Sequence, residues 1–170
     1  DLPEATAELQ QLIARHGYED ACIYGHALEG NYHFILNQSF SSDTEVKRYE
    51  DLMNDVKTLV VDRYDGSLKA EHGTGRNMAP FVRYEWGYAA YEVMKAVKKL
   101  FDPKGLLNPG VIFNDDPKCH IKNFKPLPLI PLDTESPAAK VNRCIECGFC
   151  EVNCLSCGFT LSSRQRIVLQ

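Results

Sequence analysis

The chain has no long hydrophobic run. Nothing in its 170 residues approaches the roughly 20 consecutive apolar positions that carry a helix across a bilayer, so a membrane-spanning helix is excluded. It also lacks a basic surplus. Nineteen Lys and Arg against 23 Asp and Glu leave a net charge of -4, which offers no positive stripe to a nucleic-acid backbone. There is a single Trp, and no internal repeat or low-complexity tract. No positively charged apolar leader opens the chain, where DLPEATAELQQLIARHG reads as a helix of a mature protein. With 44% hydrophobic residues, the chain can bury one core and carry a tail, but it is too short for two large cores.

What the chain has in excess is cysteine, concentrated in one place. Of its seven cysteines, Cys144, Cys147, Cys150, Cys154 and Cys157 crowd into CIECGFCEVNCLSC. The first four have the C-x2-C-x2-C-x3-C spacing with which a short loop wraps a [4Fe-4S] cube. In two-cluster proteins the first three thiolates hold one cluster and the fourth reaches another, which calls for a second cysteine set. None follows before Gln170, and SSRQRIVLQ reads as the start of a helix, so the chain is expected to be a fragment. Cysteine packed this way implies metal ligation in a reducing compartment, cytoplasmic or peripheral at the inner membrane face, rather than a disulfide framework. Cys22, among the apolar residues of DACIYG, reads as a buried inert thiol.

Helical and strand periods organise the rest. Ala5, Leu9, Leu12 and Ile13 recur at helical spacing over residues 4–16, and Gly17 closes the run. Residues 21–24 and 32–36 are short aromatic and aliphatic runs parted by a loop containing Gly25 and Gly30, which predicts two adjacent strands. Ser42 with Glu45 forms a capping box ahead of a long amphipathic helix marked by Val46, Tyr49, Leu52, Met53, Val56, Leu59, Val60 and Tyr64. Asp65-Gly66 then turns into an expected third strand over 67–70, followed by the loop EHGTGRN. Pro80 opens a last helix whose apolar face carries Trp86, Ala90, Val93, Met94, Val97, Leu100 and Phe101. From Asp115, the prolines Pro117, Pro126, Pro128, Pro131 and Pro137 break both periods. The sequence therefore divides into a domain over 1–114, a proline-rich linker over 115–139 and a cysteine-rich segment over 140–170.

A second cluster of chemistry lies in the first domain. His26 and His33 flank the loop of GHALEGNYH, and Glu71-His72 stands in AEHGTGR. Two imidazoles and a carboxylate suit a borderline divalent ion such as zinc or manganese; the same histidines could instead hydrogen-bond to backbone in a turn. Gly73 and Gly75 favour a site, because they let backbone approach a ligand closely. Asn31 reads as a brace of the turn rather than a substrate contact.

GHALEGNYH resembles the GHxGDGNxH motif, AEHGTGR resembles AEHGxG, and LFDPKGLLNPG resembles the FDPxGxLNPG ending of the FAD-linked oxidase C-terminal domain in the vanillyl-alcohol oxidase superfamily. The three occur in the family's order over roughly residues 20–113. With the cysteine run after them, the chain resembles the D-lactate and D-2-hydroxyacid dehydrogenases that are fused to a ferredoxin-like dicluster module. The resemblance implies that His26, His33 and Glu71 hold a divalent metal against a 2-hydroxy acid. It also implies that His72 is the base that takes the substrate hydroxyl proton as hydride leaves for flavin. Arg76 and Asn108 are implied to approach the flavin or the substrate carboxylate, although Asn108 is equally explained as part of a helix-stop turn. The family carries FAD mainly on an N-terminal domain, and nothing here resembles a flavin phosphate-binding loop. Leu28-Glu29 departs from the usual Gly-Asp, Leu155 replaces a common proline, and Cys157 is additional.

The expected fold is α+β: an antiparallel sheet covered by helices, ferredoxin-like in the family's sense, followed by the linker and the cluster segment. The expected function is the substrate and cap portion of an FAD-dependent D-2-hydroxyacid dehydrogenase, inactive without its FAD-binding domain. Its electrons would pass through [4Fe-4S] clusters to a quinone or protein acceptor. The rival readings are a non-catalytic iron-sulfur electron-transfer module and a zinc-binding scaffold.

Overall fold

Leu9, Leu12 and Ile13 recur on one side of the first helix, α1 (Leu2–Arg15), and that side is buried. The helix stops at Gly17, whose φ of 77° lies in the left-handed region that glycine enters without strain. The chain then forms an antiparallel hairpin from β1 (Cys22–His26) and β2 (Asn31–Ile35). Next comes α2 (Asp43–Lys57), which runs into a single π-helical stretch over Thr58–Arg63. A short helix α3 (Gly75–Met78) and a 3-10 turn, Ala79–Phe81, lead into α4 (Val82–Phe101). The structure is a computed structural model and describes residues 2–124, 139, 141, 144, 146–156 and 158–169. The prolines from Pro126 to Pro137 and Cys157 lie outside the described residues. The chain divides into two units, Asp1–Lys125 and Pro126–Gln170.

The capping box at the start of α2 forms as the sequence predicts: the Glu45 N–H donates to Ser42 Oγ, and the Ser42 N–H donates to the Glu45 carboxylate at 3.1 Å. The helix brings Leu52 and Val56 against Leu9, Leu12, Ile13 and Tyr18, and Ile23 and Phe34 of the hairpin pack onto this cluster. The inner face of the hairpin therefore rests on helices. Because strand side chains alternate, its outer face is left to Cys22, Tyr24, His26, Asn31, His33 and Ile35.

The expected third strand does not form, and among the described residues the sheet has two strands. The Gly66 N–H closes a turn onto the Val60 carbonyl at 2.8 Å, and the carboxylate of Glu85 then takes the Leu68 N–H at 3.0 Å and the Ser67 hydroxyl at 2.6 Å. The Leu68 donor that a ladder would use is thus already bound to a side chain of α4. The α4 helix also departs from expectation. It kinks at Gly87, where φ is 73° and ψ is 168°. Of its apolar residues, Trp86, Val93, Val97, Leu100 and Phe101 are all exposed.

Asp102 ends α4 with a buried carboxylate that accepts from Lys98 Nζ at 2.7 Å and from the Leu106 and Leu107 N–H groups at 2.9 and 2.8 Å. The Lys98 ammonium and these two N–H groups hold its pKa at about 2, below the roughly 3.9 of a free aspartate. A folded-state pKa lowered in this way stabilises the protein fully above the unfolded value. The contribution is then lost as pH falls from about 4 towards 2. Asp102→Asn is therefore expected to lower the urea midpoint at pH 7 and to flatten its decline between pH 4 and 2. Equal acid sensitivity in the two proteins would contradict this role.

Beyond α4, the 3-10 turn Cys119–Ile121 buries Cys119 and His120, with the Phe81 ring edge-on to the His120 imidazole at 5.1 Å. In the second unit, a 3-10 turn (Glu151–Asn153) precedes α5 (Ser163–Val168). A capping box at Ser162 and Gln165 starts α5. Glu151 ties the two together by accepting from Ser162 Oγ at 2.6 Å and from Arg164 Nε at 3.0 Å.

Candidate functional site

The hairpin register sets the site. Tyr24 pairs with His33 and His26 with Asn31, so both histidines project from the outer face although seven positions separate them in sequence. Gly25 makes this pairing possible: a Cβ there would lie 1.9 Å from the Asn31 carbonyl oxygen. The connection is a 3-10 turn over Ala27–Glu29 closed by Gly30 at φ 63°, with the Gly30 N–H donating to the Ala27 carbonyl at 3.3 Å.

Onto this face the loop after α2 delivers Glu71. One of its oxygens, Oε1, lies 3.3 Å from His33 Nε2 and 3.2 Å from His72 Nε2. The other, Oε2, lies 3.2 Å from His26 Nε2 and accepts from Asn31 Nδ2 at 3.2 Å. Partial desolvation raises the Glu71 carboxyl, but the charges of His26 and His72, the Asn31 amide and His33 together outweigh it and leave the group below its ordinary value. The ligand atoms of His33, Glu71 and His72 all lie within 4.8 Å of one another. Imidazoles and one carboxylate, half-open to solvent, form a donor set suited to zinc or manganese with positions left for a substrate oxygen.

The structure thus brings His26, His33, Glu71 and His72 together. It does not add Arg76 or Asn108, both exposed, to the polar contacts of Glu71. The Arg76 carbonyl instead accepts from the Cys119 thiol at 3.5 Å, and Asn108 takes a left-handed φ of 43° in the turn after α4. One neighbour escaped the sequence reading, and another was given only a local role. Tyr24 stacks on His33 with ring centroids 5.2 Å apart and planes 18° from parallel, and the Asn31 side chain, expected to brace its turn, reaches the Glu71 carboxylate. Strand alternation from His26 and His33 was the available signal for Tyr24. Cys22 is exposed at the end of the same face, not buried as its apolar neighbours suggest.

In the second unit, Cys147 and Cys150 are exposed, and Cys144 and Cys154 are half-buried. Left-handed φ values at Glu146 (61°) and Gly148 (78°) turn the chain between the cysteines, and the Glu146 N–H donates to Cys144 Sγ at 3.4 Å. The Cys154 thiol lies 3.1 Å from Ser156 Oγ, and hydrogen bonds from Ser156, then Ser163, lower its pKa to about 6.

A helix-backed hairpin that presents imidazoles around one carboxylate, followed by the AEHGTGR and LNPG segments, defines a flavin-linked oxidase domain. Residues 1–112 match the family of FAD linked oxidases, C-terminal domain, and the chain belongs to that family. It is similar to a D-2-hydroxyglutarate dehydrogenase of Stutzerimonas stutzeri, with 36% identity over 115 residues, 66% of this chain and 25% of that one. The glycolate oxidase subunit GlcD of Bacillus subtilis is 31% identical over 100 residues, 59% of this chain and 21% of that one. A mitochondrial D-lactate dehydrogenase [cytochrome] of Arabidopsis thaliana is 32% identical over 110 residues, 61% of this chain and 19% of that one. The chain spans about a quarter or less of the length of these relatives. No solved structure matches it. Among the described residues no helix is long and apolar enough to cross a membrane.

Proposed function

We propose that this chain is the substrate-side part of an FAD-dependent D-2-hydroxyacid dehydrogenase. The observation that carries the reading is the convergence of His26, His33 and His72 on the Glu71 carboxylate, at 3.2, 3.3 and 3.2 Å, in a chain of this family. The names of relatives that act on D-2-hydroxyglutarate and D-lactate point to the same substrate class.

In this reading His26, His33 and Glu71 hold a divalent cation. Bound there, zinc or manganese would lower the pKa of a substrate hydroxyl and anchor the substrate carboxylate. His72 takes the hydroxyl proton as general base, while the α-hydrogen leaves as hydride and the substrate becomes a 2-oxo acid. FAD, carried mainly by the rest of the protein, would supply the hydride acceptor. Arg76 and Asn108 would approach the flavin or the substrate carboxylate. Cys144, Cys147 and Cys150 would ligate one [4Fe-4S] cluster and Cys154 a second, passing electrons to a quinone or protein acceptor.

The test is anaerobic mixing of the full-length protein with D-2-hydroxy acids, before and after chelation of its divalent metal. Bleaching of the flavin by the D but not the L acid, lost on chelation and restored by zinc or manganese, is the expected result. Absence of bleaching by any D-2-hydroxy acid would reject the reading.

A further inference from the structure

The Glu71 carboxylate has two unlike oxygens. Oε1 faces His33 and His72, whereas Oε2 faces His26 and the Asn31 amide. The Asn31 side chain comes from a strand 40 positions away in sequence, and it is the one amide among these contacts. Its orientation is fixed by chemistry: an ionised carboxylate only accepts hydrogen bonds, so the NH2 end must point at Glu71 and the carbonyl end away. That leaves Asn31 Oδ1 buried with no partner. Rotating the amide would set Oδ1 against the carboxylate and bury the NH2 group unpaired in its place, so the contact with Glu71 decides the orientation.

From these observations we propose that Asn31 is a positioning residue for the divalent-metal site: it holds Glu71 by Oε2 and so keeps Oε1, on the side of His33, available as a ligand atom. The inference rests on the metal-binding reading above. Asn31 supplies the outer support that ligating carboxylates need if their lone pairs are to stay on the metal, and loss of such support typically weakens affinity by about 10–100-fold. The backbone holds the amide in place. Asn31 pairs with His26 at the turn end of the hairpin, and Gly25 lets its carbonyl lie closer to the neighbouring strand than any side chain would allow.

The experiment measures the affinity of the metal-depleted full-length protein for Zn2+ and Mn2+ by chelator competition. Wild type is compared with Asn31→Ala and with Asn31→Leu, which keeps the number and branching of the side-chain heavy atoms without the donor. Thermal melts of the metal-free proteins run alongside. The expected result is affinity about 10–100-fold weaker in both variants, at temperatures where all three are folded. Undiminished affinity in either folded variant, with or without a lower melting temperature, would mean that Asn31 only braces its turn and would overturn the inference while leaving the metal reading standing. A wild type that binds neither ion would remove both.

Discussion

Full-length protein carrying His72→Ala should keep its FAD and its divalent metal, yet reduce the flavin with a D-2-hydroxy acid about 10²–10⁴-fold more slowly, the range that general-base catalysis supplies. The geometry separates two roles within one dipeptide. Glu71 lies among three imidazoles, whereas the His72 side chain is 79% exposed, meeting Glu71 Oε1 through Nε2 and the His33 ring edge-on at 5.3 Å. A base must meet an incoming hydroxyl, and this is the imidazole most open to one. Stopped-flow absorbance follows the flavin, and metal analysis of the purified variant accompanies it. Normal flavin reduction would remove the base assignment. Loss of the metal in His72→Ala would instead make His72 a ligand, in keeping with its grouping with His33 and Glu71.

Leu52→Ala should destabilise the protein by about 2–5 kcal/mol, the usual cost of emptying a fully buried leucine site. Leu52 is 0% exposed and sits in the cluster with Leu9, Leu12, Ile13, Tyr18 and Val56. Four of those partners are aliphatic side chains held on two helices, so the space cannot close without moving a helix. Set against a typical total of about 5–15 kcal/mol, the loss is large. The effect should also reach the site, because Ile23 and Phe34 pack on this cluster from the hairpin whose other face carries the histidines. Urea denaturation gives the stability change. A midpoint within error of wild type would show that this cluster is not what holds the first unit.

Where local rules act alone, the sequence was a good guide. The spacing of Leu9, Leu12 and Ile13, the Ser42–Glu45 box and the glycine stop at Gly17 all depend on residues within a few positions of one another, and the structure forms each of them. The two strands lie within two residues of their expected limits. The third strand failed because a distant side chain, Glu85, took the donor that a ladder needed. The apolar face of α4 was visible in sequence, but its exposure depends on tertiary surroundings that periodicity does not report. At the site, the histidine and glutamate motifs named four residues. The contact from Asn31 to Glu71 and the stack of Tyr24 on His33 require the hairpin register, which no single motif contains.

The connection between the strands gives a meaning to the place where this chain departs from its family's usual motif. Leu28 and Glu29 replace Gly-Asp, yet Leu28 is fully exposed and the turn is closed by backbone, from Gly30 to Ala27. Such a loop works as a spacer, indifferent to most of the side chains along it. Its residue count, however, fixes whether His26 and His33 share a face, since a slip of one position would send one strand's outer side chains to the helices. Ala27, Leu28 and Glu29 can therefore change identity at little cost, whereas Gly30, Asn31 and the number of residues between the two histidines cannot.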